Sequence, residues 1–405
     1  MLKSKKNEIR KITAKKILDS KGNPTIRVRL ETNLGNFFSS VPSGTSKGKW
    51  EAVEKKAEVA VENVNRIIGP ELKEKDPTQQ KKIDELLIKL DGKKDKSRLG
   101  ANAILGVSIA VLRAGAKAKK VPLWKWVSEV AEIQPSLPIP SVLLVEGGLH
   151  AKTGLDFQEF MAVFPGKSFK NRFKLTVITY NNLKKILNKK YGEKVINLGL
   201  EGAFTPPIRN IEDVLKILIE VDKTEKMKII IDAAASTFYR KGRYCLEGKK
   251  MVGKELLDFY LNLCQKYPIL AIEDPFSEED WKNWRILKSK IKNQKPQTLL
   301  IGDDLTVTNP KRIRIAYQKK ACNAVILKPN QIGTVSETIE AAKLAKSFGW
   351  KIIVSHRSGE TMDDFIADLS VGLGANFIKS GAPFPKERLA KYNRLVEIEK
   401  EIRKF

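Results

Sequence analysis

Six short apolar runs in the second half of the chain each end on an ionisable side chain. They are Ile229-Ile230-Ile231 before Asp232, Leu270-Ala271-Ile272 before Glu273, Leu299-Leu300-Ile301-Gly302 before Asp303, Val325-Ile326-Leu327 before Lys328, Ile352-Ile353-Val354-Ser355 before His356, and Phe377-Ile378 before Lys379. Continuous Val/Ile/Leu runs of this length read as strands buried on both faces of a parallel sheet. Helical stretches fill the intervals. The pattern predicts an α/β chain whose C-terminal part is a (β/α)8-type barrel, with its functional groups where the strands end.

The chain has 405 residues and 42% hydrophobic content, enough for a barrel of roughly 250 residues and a second domain. Cys245, Cys264 and Cys322 are scattered without a CxxC, which speaks against a disulfide framework and for a reducing compartment. Met1-Leu2-Lys3-Ser4-Lys5-Lys6 lacks the apolar region of a secretory signal. No apolar run reads as long enough to cross a bilayer, so the expectation is a soluble, cytoplasmic protein. Net charge is +28, a value that admits nucleic acid as a partner. The lysines are spread from Lys3 to Lys404 with no aromatic-interleaved basic motif, which favours solvated helix faces instead.

Residues 8–45 read as antiparallel strands, with Ile26-Arg27-Val28-Arg29-Leu30 alternating and a turn at Asn33-Leu34-Gly35-Asn36. Residues 51–68 and 77–90 carry helical spacing, and Asn102 to Ala118 is Ala-rich. Prolines at 135, 138 and 140 exclude a helix there and mark the domain junction. The expectation is an α+β capping domain over residues 1–133 and a barrel over 134–405, the cap reaching over the barrel mouth.

Asp232, Glu273 and Asp303 end successive predicted strands, so a barrel gathers them. Oxygen donors of this kind suit Mg²⁺, and crowded carboxylates without a cation would raise one another's pKa. Lys328 and Lys379 end two later strands, where a buried lysine is costly unless paired or catalytic. Beside a divalent cation the pKa of Lys328 should fall, fitting it to act as a base on a weakly acidic C–H. His356, Arg357 and Ser358 precede a predicted helix over Met362 to Leu373, an arrangement suited either to phosphate or to a simple N-cap. His150 lies in a loop after the first barrel strand. Val41 to Gly48 is a small, polar loop that reads as a lid with a hydroxyl at Ser46, or as an ordinary connection.

Several segments together resemble the enolase family over nearly the whole chain. They include Asp19-Ser20-Lys21-Gly22-Asn23-Pro24, Val41-Pro42-Ser43-Gly44-Thr45-Ser46, Leu99-Gly100-Ala101-Asn102, Gln158-Glu159-Phe160-Met161 and Ile272-Glu273-Asp274-Pro275. The others are Gly302-Asp303-Asp304-Leu305-Thr306, Asn330-Gln331-Ile332-Gly333-Thr334, Ser355-His356-Arg357-Ser358-Gly359-Glu360-Thr361 and Ile378-Lys379-Ser380-Gly381-Ala382-Pro383. The resemblance implies reversible dehydration of 2-phosphoglycerate to phosphoenolpyruvate with two Mg²⁺. Asp232, Glu273 and Asp303 would hold the first ion, and Ser46 would help hold the second. Lys328 would remove the C2 proton, and Glu201, assisted by Glu159, would protonate the leaving C3 hydroxyl. Lys379 would bind the substrate carboxylate, and Arg357 and Ser358 the phosphate, with His150 and His356 close by. It also implies a homodimer or higher homo-oligomer. Lysine or histidine bases working beside Mg²⁺ are the known pattern of this superfamily.

The chain departs from the family pattern in several places. Gly199-Leu200-Glu201-Gly202-Ala203 stands where Gly-Asp-Glu-Gly-Gly is usual, and Glu146-Gly147-Gly148 where Asn-Gly-Gly is usual. Pro329 replaces a Val, and Lys21 an Arg tied to dimer contacts. Part of the lid region and the C-terminal tail are missing. These departures keep two alternatives open: a paralogue with weak or altered activity, and a nucleic-acid- or protein-binding chain on the same scaffold.

Overall fold

The computed structural model describes residues 7–45, 48–151, 153–193 and 196–403. Strands β1 (Ile9–Leu18), β2 (Pro24–Thr32) and β3 (Gly35–Ser40) form an antiparallel meander. Thr32 pairs with Gly35, so the turn closes on Asn33-Leu34, the tight geometry that suits a hairpin. Ile26, Val28 and Leu30 are buried on one face, as period-2 alternation requires. They pack on the helix Ala101–Lys119, whose Ile104, Val107 and Val111 are also buried.

Two expectations need correction here. The helix Ala101–Lys119, with 19 residues, is long and apolar enough to cross a membrane by length and composition, and 83% of its apolar window is buried. It is a core helix whose small residues allow close packing against the meander. The helix expected over 51–68 starts only at Ala57, and turns into a π-helical stretch at Val64–Ile68. Its first residues are extended because other partners take their backbone groups. Ala52 N–H donates to Gln331 O, Val53 N–H to Asp95 O, and Val53 O accepts from Ala101 N–H.

Strands β4 (Ile139–Glu146), β5 (Glu159–Val163), β8 (Lys228–Asp232), β12 (Ile269–Glu273), β13 (Leu299–Gly302), β14 (Ala324–Leu327), β15 (Lys351–Ser355) and β16 (Phe377–Lys379) close into a barrel through β16–β4 pairing. Short strands β6 (Asn197–Leu198) and β7 (Phe204–Thr205) attach to β4, and β9 (Tyr239–Arg240), β10 (Arg243–Leu246) and β11 (Lys249–Met251) make a separate small sheet. All six apolar runs are strands of this barrel, and each pairs in parallel with the next. The exception to parallel order is β5, antiparallel to both β4 and β8. Helices wrap the outside, several begun by side chains that accept from the first turn: Ser168 from Asn171 N–H, Asn210 from Asp213 N–H, Thr334 from Glu337 N–H.

The meander side and the barrel share one hydrophobic cluster, in which Val28 and Leu105 belong with Ile231 and Ile326. An ion pair reinforces the junction. Arg113, on the helix Ala101–Lys119, makes 2.8 Å contacts with both oxygens of Asp363. Burial pushes the Asp363 carboxyl up, but Arg113 outweighs it and holds the group below the usual carboxylate range. A depressed carboxylate stabilises the fold above its ordinary pKa, and that contribution is lost as pH falls through the folded value. Arg113→Met should therefore cost about 3 kcal/mol near neutral pH, in line with breaking a buried pair. Urea unfolding at neutral and acid pH checks this. The gap between variant and native chain should shrink as Asp363 protonates.

Candidate active site

Strand register sets the side chains of the mouth. Glu146 pairs with Glu159, Glu159 with Asp232, and Asp232 with Glu273, so four carboxylates form a row across adjacent strands. Because β5 runs backwards, its first residue rather than its last meets the mouth. Opposite this row, Lys379 sits beside Ser355, and its Nζ lies 2.9 Å from Glu159, 3.2 Å from Asp232 and 3.0 Å from Glu273. Burial alone would lower the Lys379 pKa, but these carboxylates hold it well above the ordinary value. One ammonium cannot neutralise three carboxylates. Burial, with neighbouring Asp232, accordingly pushes Glu273 well above the usual range.

Asp303 turns to different partners from the other two predicted metal ligands. It contacts Lys328 Nζ and accepts from Gln331 at 3.0 Å. Its backbone N–H donates to Asp274 at 3.0 Å, and that of Asp304 does so at 2.7 Å. Asp274, Asp303 and Asp304 bring carboxylate oxygens within 4.8 Å of one another. Burial would lower the Lys328 pKa, yet Asp303 raises it above the ordinary lysine value. That is opposite to the expected fall, because the carboxylate expected to face a cation here faces the ammonium itself. Arg357 and Lys379 push the other way, so engaging Asp303 elsewhere would release the lysine proton.

The acid–base pair also differs from expectation. Burial pushes the Glu159 carboxyl well up. Burial acts on Glu201 in the same sense, but the imidazoles of His356 and His150 outweigh it and hold Glu201 low. Of the two, Glu159 is shifted toward the protonated form and Glu201 toward the ionised one. His356 supports that assignment. Arg388, which can only donate, lies 2.6 Å from His356 Nδ1. The ring proton is therefore on Nε2, 3.0 Å from Glu201 Oε2. Burial, aided by Arg388, pushes His356 down to about 4, against the pull of Glu201. His150 Nδ1 stands 3.7 Å from both Glu159 and Glu201.

The predicted anion site is assembled from both parts of the chain. Arg357 bonds Glu51 at 3.0 Å and Asn330 at 2.9 Å. Ser358 Oγ accepts the Thr45 N–H at 2.9 Å, and Lys21 Nζ reaches Thr45 Oγ1 at 2.7 Å. Gly359 permits the approach: a Cβ there would lie 2.3 Å from Asp19 Oδ2 and 2.4 Å from Ser43 Oγ. Ser46, the proposed ligand of a second ion, lies outside the described residues. Sequence reasoning missed Glu51, Asp274, Asp304 and Arg388. Glu51 was read into a helix, and Arg388 lies in the first turn of the C-terminal helix Lys386–Ile402, where nothing in the sequence marks it. Asp274 and Asp304 could have been found, since each follows a strand-end carboxylate directly.

The donor set fits a hard divalent cation. The carboxylates are buried, supplied by oxygen, and short of positive charge. Among the described residues the donor atoms that converge within 4.8 Å are those of Asp274, Asp303 and Asp304 and those of His150, Glu159 and Glu201; of the predicted ligands only Asp303 belongs to such a group, while Asp232 and Glu273 face Lys379. A capped barrel with carboxylates, lysines and imidazoles converging at its mouth has the architecture of a barrel enzyme whose site lies at the strand ends. Family models then specify it: Enolase, C-terminal TIM barrel domain, matches residues 134–404, and Enolase, N-terminal domain, matches residues 9–127. The chain belongs to the enolase family, which makes it a lyase-type enzyme of that superfamily.

Burial and Asp232 raise the affinity of Glu273 for a proton, so a cation bound there should compete with protons and its affinity should rise with pH. Added Mg²⁺ should raise the unfolding midpoint, by about 2.7 kcal/mol of stability at a hundredfold excess over Kd, and more tightly at pH 8 than at pH 6. Glu273→Gln should remove the rise. Differential scanning calorimetry with and without Mg²⁺ checks both statements, and an unchanged midpoint in the native chain would defeat them.

Proposed function

We propose that this protein dehydrates 2-phosphoglycerate reversibly to phosphoenolpyruvate. The observation that carries the reading is the meeting at one mouth of a lysine, a Glu–His acid–base group and an Arg–Ser anion site. Lys328, Glu201 and the consecutive His356, Arg357 and Ser358 come from three separate segments, yet line a single pocket. The substrate requires all of them: a base at C2, an acid at C3, and cations for its phosphate and carboxylate.

In this reading Arg357 and Ser358 hold the phosphate, displacing the contacts from Glu51 and Thr45. Lys379 holds the substrate carboxylate, and His150 closes the pocket beside the C3 hydroxyl. Lys328 takes the C2 proton once Asp303 no longer pairs with its ammonium, and nearby Arg357 and Lys379 favour its neutral form. The C2–H electron pair becomes the C2=C3 bond, and the C3–O bond breaks. Glu201 gives the leaving hydroxide its proton and so releases water. Glu159, whose carboxyl burial shifts toward the protonated form, resupplies Glu201. Asp232, Glu273 and Asp303 would hold a divalent cation, which would supply positive charge next to the substrate carboxylate; Mg²⁺ is the proposed ion, two per site, with Ser46 on the second.

The same reading divides the chain into a cap over residues 1–133 and a catalytic barrel over 134–405. It takes the working form to be a homo-oligomer in the cytoplasm, for which the free thiols of Cys245, Cys264 and Cys322 are suited. One observation favours a weakened paralogue as the second reading: Glu51 already occupies the Arg357 guanidinium at 3.0 Å, so a substrate phosphate must compete with it.

The ultraviolet absorbance of phosphoenolpyruvate formed from 2-phosphoglycerate decides between them. With Mg²⁺ the signal should rise, EDTA should abolish it, and Lys328→Ala should lower kcat about 10²–10⁴-fold, the usual worth of a general base. No signal from folded, Mg²⁺-saturated protein would shift the assignment to the paralogue.

A further inference from the structure

Glu146 ends β4 with 0% of its surface exposed. Its Oε1 accepts the Ala203 N–H at 2.8 Å, and both oxygens accept the Glu201 N–H at 3.1 Å. The turn that carries Glu201 is moulded on this carboxylate. Gly199 N–H donates to Ala203 O at 2.9 Å, and Gly202 N–H to Gly199 O at 3.2 Å. A Cβ at Gly199 would lie 2.4 Å from Glu146 Oε2, so only glycine lets the chain pass so close. Fastenings on the other side are the Ala382 N–H to Glu201 O, 3.1 Å, and the Tyr180 hydroxyl to Gly202 O, 2.7 Å. An acceptor gripping two N–H groups of one turn fixes the direction of the side chain between them.

We propose that Glu146 is a positioning residue for Glu201: its buried carboxylate holds the turn Gly199 to Ala203 so that the Glu201 carboxyl meets His356 and His150 at the mouth. The inference rests on the reading of Glu201 as the acid at C3. Glu146 itself touches neither the predicted anion site nor the predicted cation ligands. Its one approach to the mouth is to His150, whose Nδ1 lies 3.9 Å from Glu146 Oε2, on the C3 side; Lys328 follows β14 and does not depend on this turn, so the effect falls on the C–O step.

Two reactions separate that role from a general structural one. Exchange of the substrate C2 hydrogen with D₂O, followed by proton NMR, needs Lys328 but not Glu201. Formation of phosphoenolpyruvate needs both. Glu146→Leu keeps much of the volume but removes the acceptor of both N–H groups, and should displace the turn; Glu146→Gln, whose amide oxygen can still accept both, should lose far less. Dehydration kcat of Glu146→Leu should fall about 10²-fold, the scale of a misplacement near 1 Å. KM and the rate of C2 exchange should stay near those of the native chain. Gly199→Ala, which pushes the turn off the carboxylate from the opposite side, should give the same split. Equal losses in exchange and dehydration in both Glu146→Leu and Gly199→Ala, or no loss in either, would overturn the proposal. A native chain that exchanges C2 hydrogen but forms no phosphoenolpyruvate would overturn the proposal together with the role of Glu201. One that does neither would overturn the dehydration reading as a whole.

Discussion

The ammonium of Lys379 is the contact on which the mouth of the barrel depends. It lies within 3.2 Å of Glu159, Asp232 and Glu273, all buried where ionised groups without partners are costly. Without it the strand ends of β5, β8 and β12 would present like charges a few ångströms apart. With it they can close into a barrel while still carrying a deficit of positive charge. That deficit is the chemical character of the site. It keeps protons on buried carboxyls, gives a cation somewhere to bind, and ties the basicity of Lys328 to the state of Asp303.

A second constraint is that the pocket is not complete within the barrel. The segment before Ala57 is held extended by Gln331, Asp95 and Ala101, and this brings Glu51 to Arg357. A short antiparallel bridge joins Ser43 to Gly359, and Thr45 reaches Ser358. Arg113 and Asp363 lock the two layers a little further out. The stability of the interface and the order of the anion site are thus one property, because the same loop, residues 355–364, serves both.

How much of this could be read from residues alone follows from burial. Strands covered on both faces must be apolar throughout, so all six runs announced themselves and their last residues named the site. Glu159 was legible only through family resemblance, since it begins a strand. The extended stretch at 51–56 was not legible: Val53 and the residues after it have helical spacing, and distant backbone partners override it. Arg388 could not be found either, because its role is to donate to an imidazole 32 positions away. The pKa directions of Lys328 and Glu201 depend on which neighbour comes closest, and spacing carries no such information.

The reversed strand β5 has a consequence for how this fold can vary. In a barrel of uniform direction, every loop at the mouth joins a strand to a helix and can lengthen outward without disturbing the next strand. Here the segment between Glu146 and Glu159 leaves the mouth and returns to it directly, and it carries His150. Both of its ends are held by barrel strands that pair directly with each other. Other mouth loops can be redrawn for new substrates, but this one behaves as part of the frame, and innovation in such a barrel must come from the remaining loops.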